Sequence, residues 1–199
     1  MSRPQSSAKG AILLLTLKAV KAAIQAGSLD RNEVEAKLGQ HASLLDANIA
    51  QALWYPVEAM GICAEMLTPM LGPNREAALE EIGVMGVAML KNEGLYAQIE
   101  LAGEAMAAGS RDQVVRFGRR ATTLVRSFYN FGDMDFNPVP GEDDLYRMIW
   151  CGVEPLPDAL RFVTQGFIRQ MVSDAMKPNV EVSSKRLTTD DILFDLRIP

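Results

Sequence analysis

The chain has 199 residues, 48% of them hydrophobic and 23% charged, and a formal net charge of −5. That length and balance suit a globular protein with a sizeable core and exclude a disordered or fibrous chain. The acidic balance also disfavours nucleic acid and anionic membranes as partners, because phosphate binding needs a cationic surface.

In chain order, Met1–Lys9 is polar and carries Pro4 and three serines, which predicts a loose arm ahead of one domain over 10–199. From Ala11 to Gln25, Ile12, Leu15, Ala19, Ala22 and Ala23 recur at helical spacing with Lys18 and Lys21 opposite them, an amphipathic helix. The apolar run Ala11 to Leu17 is too short for a membrane span, which takes roughly 20 apolar residues. It also leads into charged helix and not into a cleavage site, so a cytoplasmic location is expected. Asp30 with Glu33 three residues on predicts a capped helix to Gly39.

Trp54-Tyr55-Pro56 then introduces a buried helix over Val57 to Leu71, with Met60, Cys63, Ala64 and Leu67 on its apolar side. After Gly72-Pro73 and the cap Asn74, the segment Ala77 to Lys91 is apolar nearly all round and reads as a central helix. Gly83 and Gly86 lie inside it at a cost of about 1 kcal/mol each, which predicts a close helix crossing. Two further helices are expected, Leu95 to Ala108 and Arg111 to Phe128, the second capped by Ser110.

Beyond Phe128 the pattern turns to period two. Leu145 to Val153 reads as a strand with Tyr146, Met148 and Trp150 on one face, and Arg126 to Phe136 as its partner. Asp158 to Met176 is helical again. Val180 and Val182, then Ile192, Phe194, Leu196 and Ile198, alternate with polar residues about a turn near Thr188 to Asp190, a terminal antiparallel hairpin. The fold class is therefore α+β, a helical layer on a small antiparallel sheet formed mainly by the C-terminal third.

Three short motifs, Lys9-Gly10, Trp54-Tyr55-Pro56 and Glu81-Ile82-Gly83, together with this order of elements resemble a family of paralogous myxobacterial domains of unknown function. That family is related to vinyl-reductase-type small-molecule-binding domains, and is similar in turn to haem-nitric-oxide-binding domains and TRAPP-type trafficking subunits. The resemblance implies helices packed on an antiparallel sheet, frequent dimers, a ligand pocket in some relatives and protein interaction in others. It implies no activity.

The chemistry-bearing residues are few. Haem binding in the nitric-oxide-sensing relatives requires a helical proximal histidine and a tyrosine-serine-arginine grouping, and neither is matched. The single histidine, His41, lies in a polar stretch and reads as a surface or capping residue. Cys63 and Cys151 are distant and read as reduced thiols, Cys63 as core packing. A zinc site would have to rely on carboxylates, against zinc's preference for sulfur and nitrogen. No Gly-x-Ser-x-Gly, P-loop or Gly-x-Gly-x-x-Gly occurs. No cofactor, metal or catalytic residue is therefore expected.

Arg111, Arg116, Arg119, Arg120 and Arg126 concentrate positive charge on one helix. They read as a solvated face, as partners for the Glu142 to Asp144 loop, as a protein interface, or as a site for an anionic ligand. The leading functional expectation is a non-enzymatic interaction or scaffold module in cytoplasmic signalling, homodimeric, using those arginines. The alternative is a sensor binding a small apolar ligand between helices and sheet, near Trp54, Cys63, Met85, Phe128 and Trp150.

Overall fold

The computed structural model describes residues 6–92, 110–175 and 179–199. The helix expected over Leu95 to Ala108 lies outside the described residues, as does the end of the arm at Met1.

The chain begins in a strand, β1 (Ser7–Lys9), which pairs antiparallel with β2 (Trp54–Pro56), Lys9 opposite Trp54. The loose arm predicted from the sequence therefore does not extend over Ser7–Lys9. Two of the short motifs meet here: Lys9 Nζ lies 4.1 Å from the Trp54 ring centroid and donates to the Ala52 carbonyl at 2.7 Å. Gly10 N–H donates to Leu53 O at 2.9 Å, and a Cβ at Gly10 would lie 2.8 Å from Tyr55 Cε2. The glycine is what lets the first helix start against this loop.

α1 (Gly10–Gln25) and α2 (Arg31–Leu38) follow, α2 capped by Asp30, whose carboxylate accepts from the N–H groups of Asn32 and Glu33. This satisfies two of the donors that every helix start leaves open. A 3-10 helix spans Gly39–Leu45. α3 (Val57–Leu71) and α4 (Arg75–Asn92) complete the N-terminal layer, with Asn74 capping α4 through Glu76 and Ala77.

The second half is α5 (Arg111–Phe128), β3 (Asp133–Pro138), β4 (Leu145–Cys151), α6 (Asp158–Ala175), β5 (Glu181–Arg186) and β6 (Asp191–Arg197). The four strands form one antiparallel sheet in the order β3-β4-β6-β5. The strand expected over Arg126 to Phe136 is corrected: α5 keeps its helical period to Phe128, and the turn needs Gly132 at φ 73° before β3 can begin.

Period two puts one face of the sheet inward. Met134, Trp150 and Ile192 form one buried cross-strand row and Phe136, Met148 and Phe194 the next. Burying Phe194 or Leu196 contributes about 1.5–3 kcal/mol each. α5 lies directly on this face because Gly118 has no side chain; a Cβ there would overlap the Phe136 ring. On the N-terminal side α4 crosses α6 glycine to backbone. A Cβ on Gly83 would lie 2.6 Å from Phe167 N, and one on Gly166 would lie 2.6 Å from the Glu80 carbonyl carbon. The close crossing expected from Gly83 is thus present.

Polar groups tie the crossing to the sheet. Glu80 accepts from Gln165 Nε2 at 2.8 Å and pairs with Arg169, while Gln165 Oε1 accepts from Ser184 Oγ of β5 at 2.5 Å. Buried polar groups are held when each has a partner, and this chain of bonds supplies them across three elements.

Candidate ligand cavity

Where α1, α4, α5 and α6 converge, their packing leaves an apolar cavity of about 50 Å³. Ile12 and Leu15 enter from α1, one turn apart. Val125 and Phe128 come from the last turn of α5, and Val163 and Phe167 from one face of α6. Gly83 forms the wall on the α4 side, so the residue that permits the helix crossing also leaves room beside it. A smaller space of about 20 Å³ lies on the other side of Val125, among α5, the sheet and α6.

Two residues of the larger cavity carry a hydroxyl, Tyr129 and Thr164. Burial pushes the Tyr129 phenol well above its ordinary value of 10.0, so it stays neutral and can donate a hydrogen bond without charging. Its ring meets Trp150 edge-on at 5.0 Å and Phe131 at 5.5 Å. The aromatic cluster fixes one wall of the cavity.

Of the five residues predicted to line a pocket, Phe128 lines this cavity and the other four stand elsewhere. Trp54 is on the surface, 45% exposed, stacked under Lys9. Met85 points outward and is 43% exposed. Cys63 is sealed in the α1–α3 contact, where burial pushes its thiol up to about 12. Trp150 is core, parallel to the Phe131 ring at 6.3 Å. The residues that the sequence reading missed, Ile12, Leu15, Val163 and Phe167, sit on regular apolar stripes and look like any core position. The one signal was Gly83, an expense in mid-helix.

The arginines also separate. Arg111 Nη1 pairs with Asp143 at 3.0 Å and Nη2 donates to the carbonyls of Val139 and Glu142, both at 2.9 Å. Arg126 pairs with Asp133 at 2.9 Å and donates to Met134 O. Arg116, Arg119 and Arg120 are exposed. His41 is buried, not a surface residue, and its Nε2 lies 3.1 Å from Glu58 Oε2.

No family model matches the chain, and no curated protein does. Solved structures do. An H-NOX protein from S. oneidensis, in an Fe(II)NO state, superposes with a TM-score of 0.60 at 12% identity, covering 96% of this chain and 99% of that one. An unliganded Fe(II) H-NOX protein from K. algicida gives 0.55 at 12% identity, over 96% of each chain. An oxygen-binding H-NOX domain related to soluble guanylate cyclases gives 0.52 at 12% identity, over 96% and 94%. Another match concerns haem distortion in the same family.

At such identity the likeness shows the fold, which runs the full length of those domains. The scaffold expectation is corrected by it: neighbours that share this fold are described with nitric oxide or oxygen bound, which favours the alternative reading. Among the described residues no helix is long and apolar enough to cross a membrane.

Haem itself does not fit the residues present. The chain's one histidine stands on the 3-10 helix, bonded to Glu58 and absent from the walls of both apolar cavities. Cys63 is held as a neutral thiol away from them. Cavities of about 50 and 20 Å³ are far below the roughly 300–1,000 Å³ of pockets for drug-sized ligands.

Proposed function

We propose that the chain is a cytoplasmic, non-enzymatic sensor domain that takes a small apolar ligand between its helices and sheet, without haem. The cavity between α1, α4, α5 and α6 carries this reading, in a fold shared end to end with domains that bind oxygen or nitric oxide. Size sets the ligand class. A water molecule's share of liquid volume is about 30 Å³, and an apolar cavity of about 150 Å³ takes benzene or xenon. A space of about 50 Å³ suits a diatomic gas or a molecule of very few heavy atoms. Kinship with the myxobacterial paralogous domains, read from Lys9-Gly10 and Trp54-Tyr55-Pro56, belongs to the same proposal. The non-enzymatic part is supported by His41 and Cys63, whose burial and bonding leave neither as a ready base or nucleophile.

Xenon pressure watched by methyl NMR tests it. Saturable shifts at Ile12, Leu15, Val125 and Val163 are expected, and loss of those shifts when Leu15→Phe fills the space. Shifts that rise linearly without saturating, or that spread evenly over the protein, would overturn the ligand reading. A stoichiometric Soret band after expression with added haem would overturn its haem-free part.

A further inference from the structure

A third and larger concavity lies elsewhere, a cleft of about 450 Å³ between α2, α3 and the start of α6. Its volume falls within the roughly 300–1,000 Å³ of small-molecule sites. The floor is apolar: Ile62 and Met66 of α3, with Pro157 ahead of α6. It is also firm, because a Cβ on Gly61 would lie 2.6 Å from the Pro157 ring, so the α3 backbone rests directly on the proline.

Charges stand round the rim, and most are already matched. Arg75 pairs with Glu65, and its Nε donates to Glu65 Oε2 at 3.0 Å. Asp158 accepts from Arg161 Nε at 3.0 Å and lies 3.9 Å from Arg186 Nε. Two charges remain. Lys37 of α2 is exposed and has no ion-pair partner among the described residues. Glu58 of α3 is 63% exposed and touches only His41 among them. An ionised carboxylate can only accept, so His41 Nε2 carries the proton and donates to Oε2, leaving Oε1 for another donor. The buried imidazole thus holds the carboxylate in place beside the cleft.

We infer that this cleft binds a small zwitterion of the amino-acid class, its ammonium on Glu58, its carboxylate on Lys37 and its side chain on the Ile62, Met66 and Pro157 floor. A phosphate-bearing ligand would meet three carboxylates, Glu58, Glu65 and Asp158, against Lys37 and Arg75. A simple amine would leave Lys37 unanswered, and a simple carboxylate would leave Glu58 so. This site is independent of the apolar cavity, and either can fail without the other.

The test uses the full chain and L-leucine, with L-methionine as a second zwitterion and isopentylamine and 4-methylpentanoate as its two half-molecules. Amide NMR should show saturable shifts at Lys37, Glu58, Ile62 and Met66 with both amino acids. Each half-molecule should bind about tenfold more weakly or worse. Glu58→Gln and Lys37→Met should each weaken L-leucine about tenfold while leaving the circular dichroism spectrum and melting temperature in place. The proposal is overturned if neither amino acid shifts those amides at millimolar concentration, if isopentylamine binds as tightly as L-leucine, or if both variants bind L-leucine like the parent.

Discussion

Gly83 and Val163 set the distance between α4 and α6: a Cβ on residue 83 would run into the Val163 carbonyl oxygen. Three residues on, the neighbour of Gly86 is of a different kind, the tip of Leu15, whose Cδ1 would lie 3.2 Å from such a Cβ. Backbone cannot step aside, and a leucine tip can.

The two glycines should therefore respond oppositely to alanine. Alanine gains about 1 kcal/mol over glycine inside a helix, and this gain is common to both sites. At Gly83 the overlap with backbone outweighs it, and Gly83→Ala should cost about 3 kcal/mol or prevent folding. At Gly86 a small shift of Leu15 suffices, so Gly86→Ala should be neutral or stabilising by up to about 1 kcal/mol. Urea unfolding at constant slope decides it; equal effects at the two sites would show that backbone contact at Gly83 does not set the crossing.

Glu80 joins the same crossing to β5. Removing its carboxylate leaves Gln165, which is buried, and Arg169 without their acceptor. Glu80→Ala should cost about 2–3 kcal/mol, since an orphaned buried polar group carries its full desolvation penalty. Glu80→Gln, which keeps an oxygen for one donor, should cost about half of that. A double-mutant cycle with Ser184→Ala should show coupling if the chain of bonds acts as a unit, and simple addition if it does not.

Much of this architecture was legible in the residues. Period two marked Tyr146, Met148 and Trp150 as one buried face and placed the hairpin after Val180, because a sheet with one covered face writes its alternation into the chain. The caps at Asp30 and Asn74 were visible for the same local reason. The β1–β2 pair was not, since Ser7–Lys9 is too short to show a period and its partner lies 45 residues on. The cavity was hidden more deeply. Ile12, Leu15, Val163 and Phe167 are spaced like core residues, and whether four apolar stripes close fully or leave a gap depends on how the helices cross. Buried His41 and its bond to exposed Glu58 were missed because the polarity of nearby Gln40 and Ser43 concealed that the 3-10 turn folds inward.

The thiols give a pH prediction. Burial raises Cys63 to about 12, with a weaker opposing bond from Thr16, whereas an unfolded thiol ionises near 9.0. Above that lower value the unfolded chain sheds a proton that the folded one keeps. The stabilisation is complete below pH 9 and is lost as pH climbs toward 12, at up to about 1.4 kcal/mol per pH unit. Comparison of Cys63→Ala with the parent should show this difference in slope between pH 9 and 11. At neutral pH a thiol reagent should modify exposed Cys151, slowly because burial and nearby Asp191 raise its thiol too, and should reach Cys63 only on unfolding. Two equally fast reactive thiols in the native protein would contradict the burial of Cys63.

The arginine-rich helix should divide into anchors at its two ends, Arg111 and Arg126, and a solvated face between them. Arg111 closes the turn between β3 and β4 with three bonds, to Asp143 and to the carbonyls of Val139 and Glu142, and the two carbonyl bonds do not depend on an opposite charge. A lysine cannot reproduce that fork, because its single ammonium reaches one of the three acceptors at a time. Arg111→Lys should therefore lose most of what Arg111→Ala loses, about 1–2 kcal/mol, and both should speed amide exchange in the turn at Glu142, whose N–H bonds Val139 O. Arg116→Ala, Arg119→Ala and Arg120→Ala should each stay within about 0.5 kcal/mol, as exposed side chains do when they hold nothing in place. Salt separates the cases further. The Asp143 pair is exposed and screened, so raising ionic strength should remove only a small part of the Arg111 effect. If salt removed it all, charge and not the carbonyl clamp would be holding the turn.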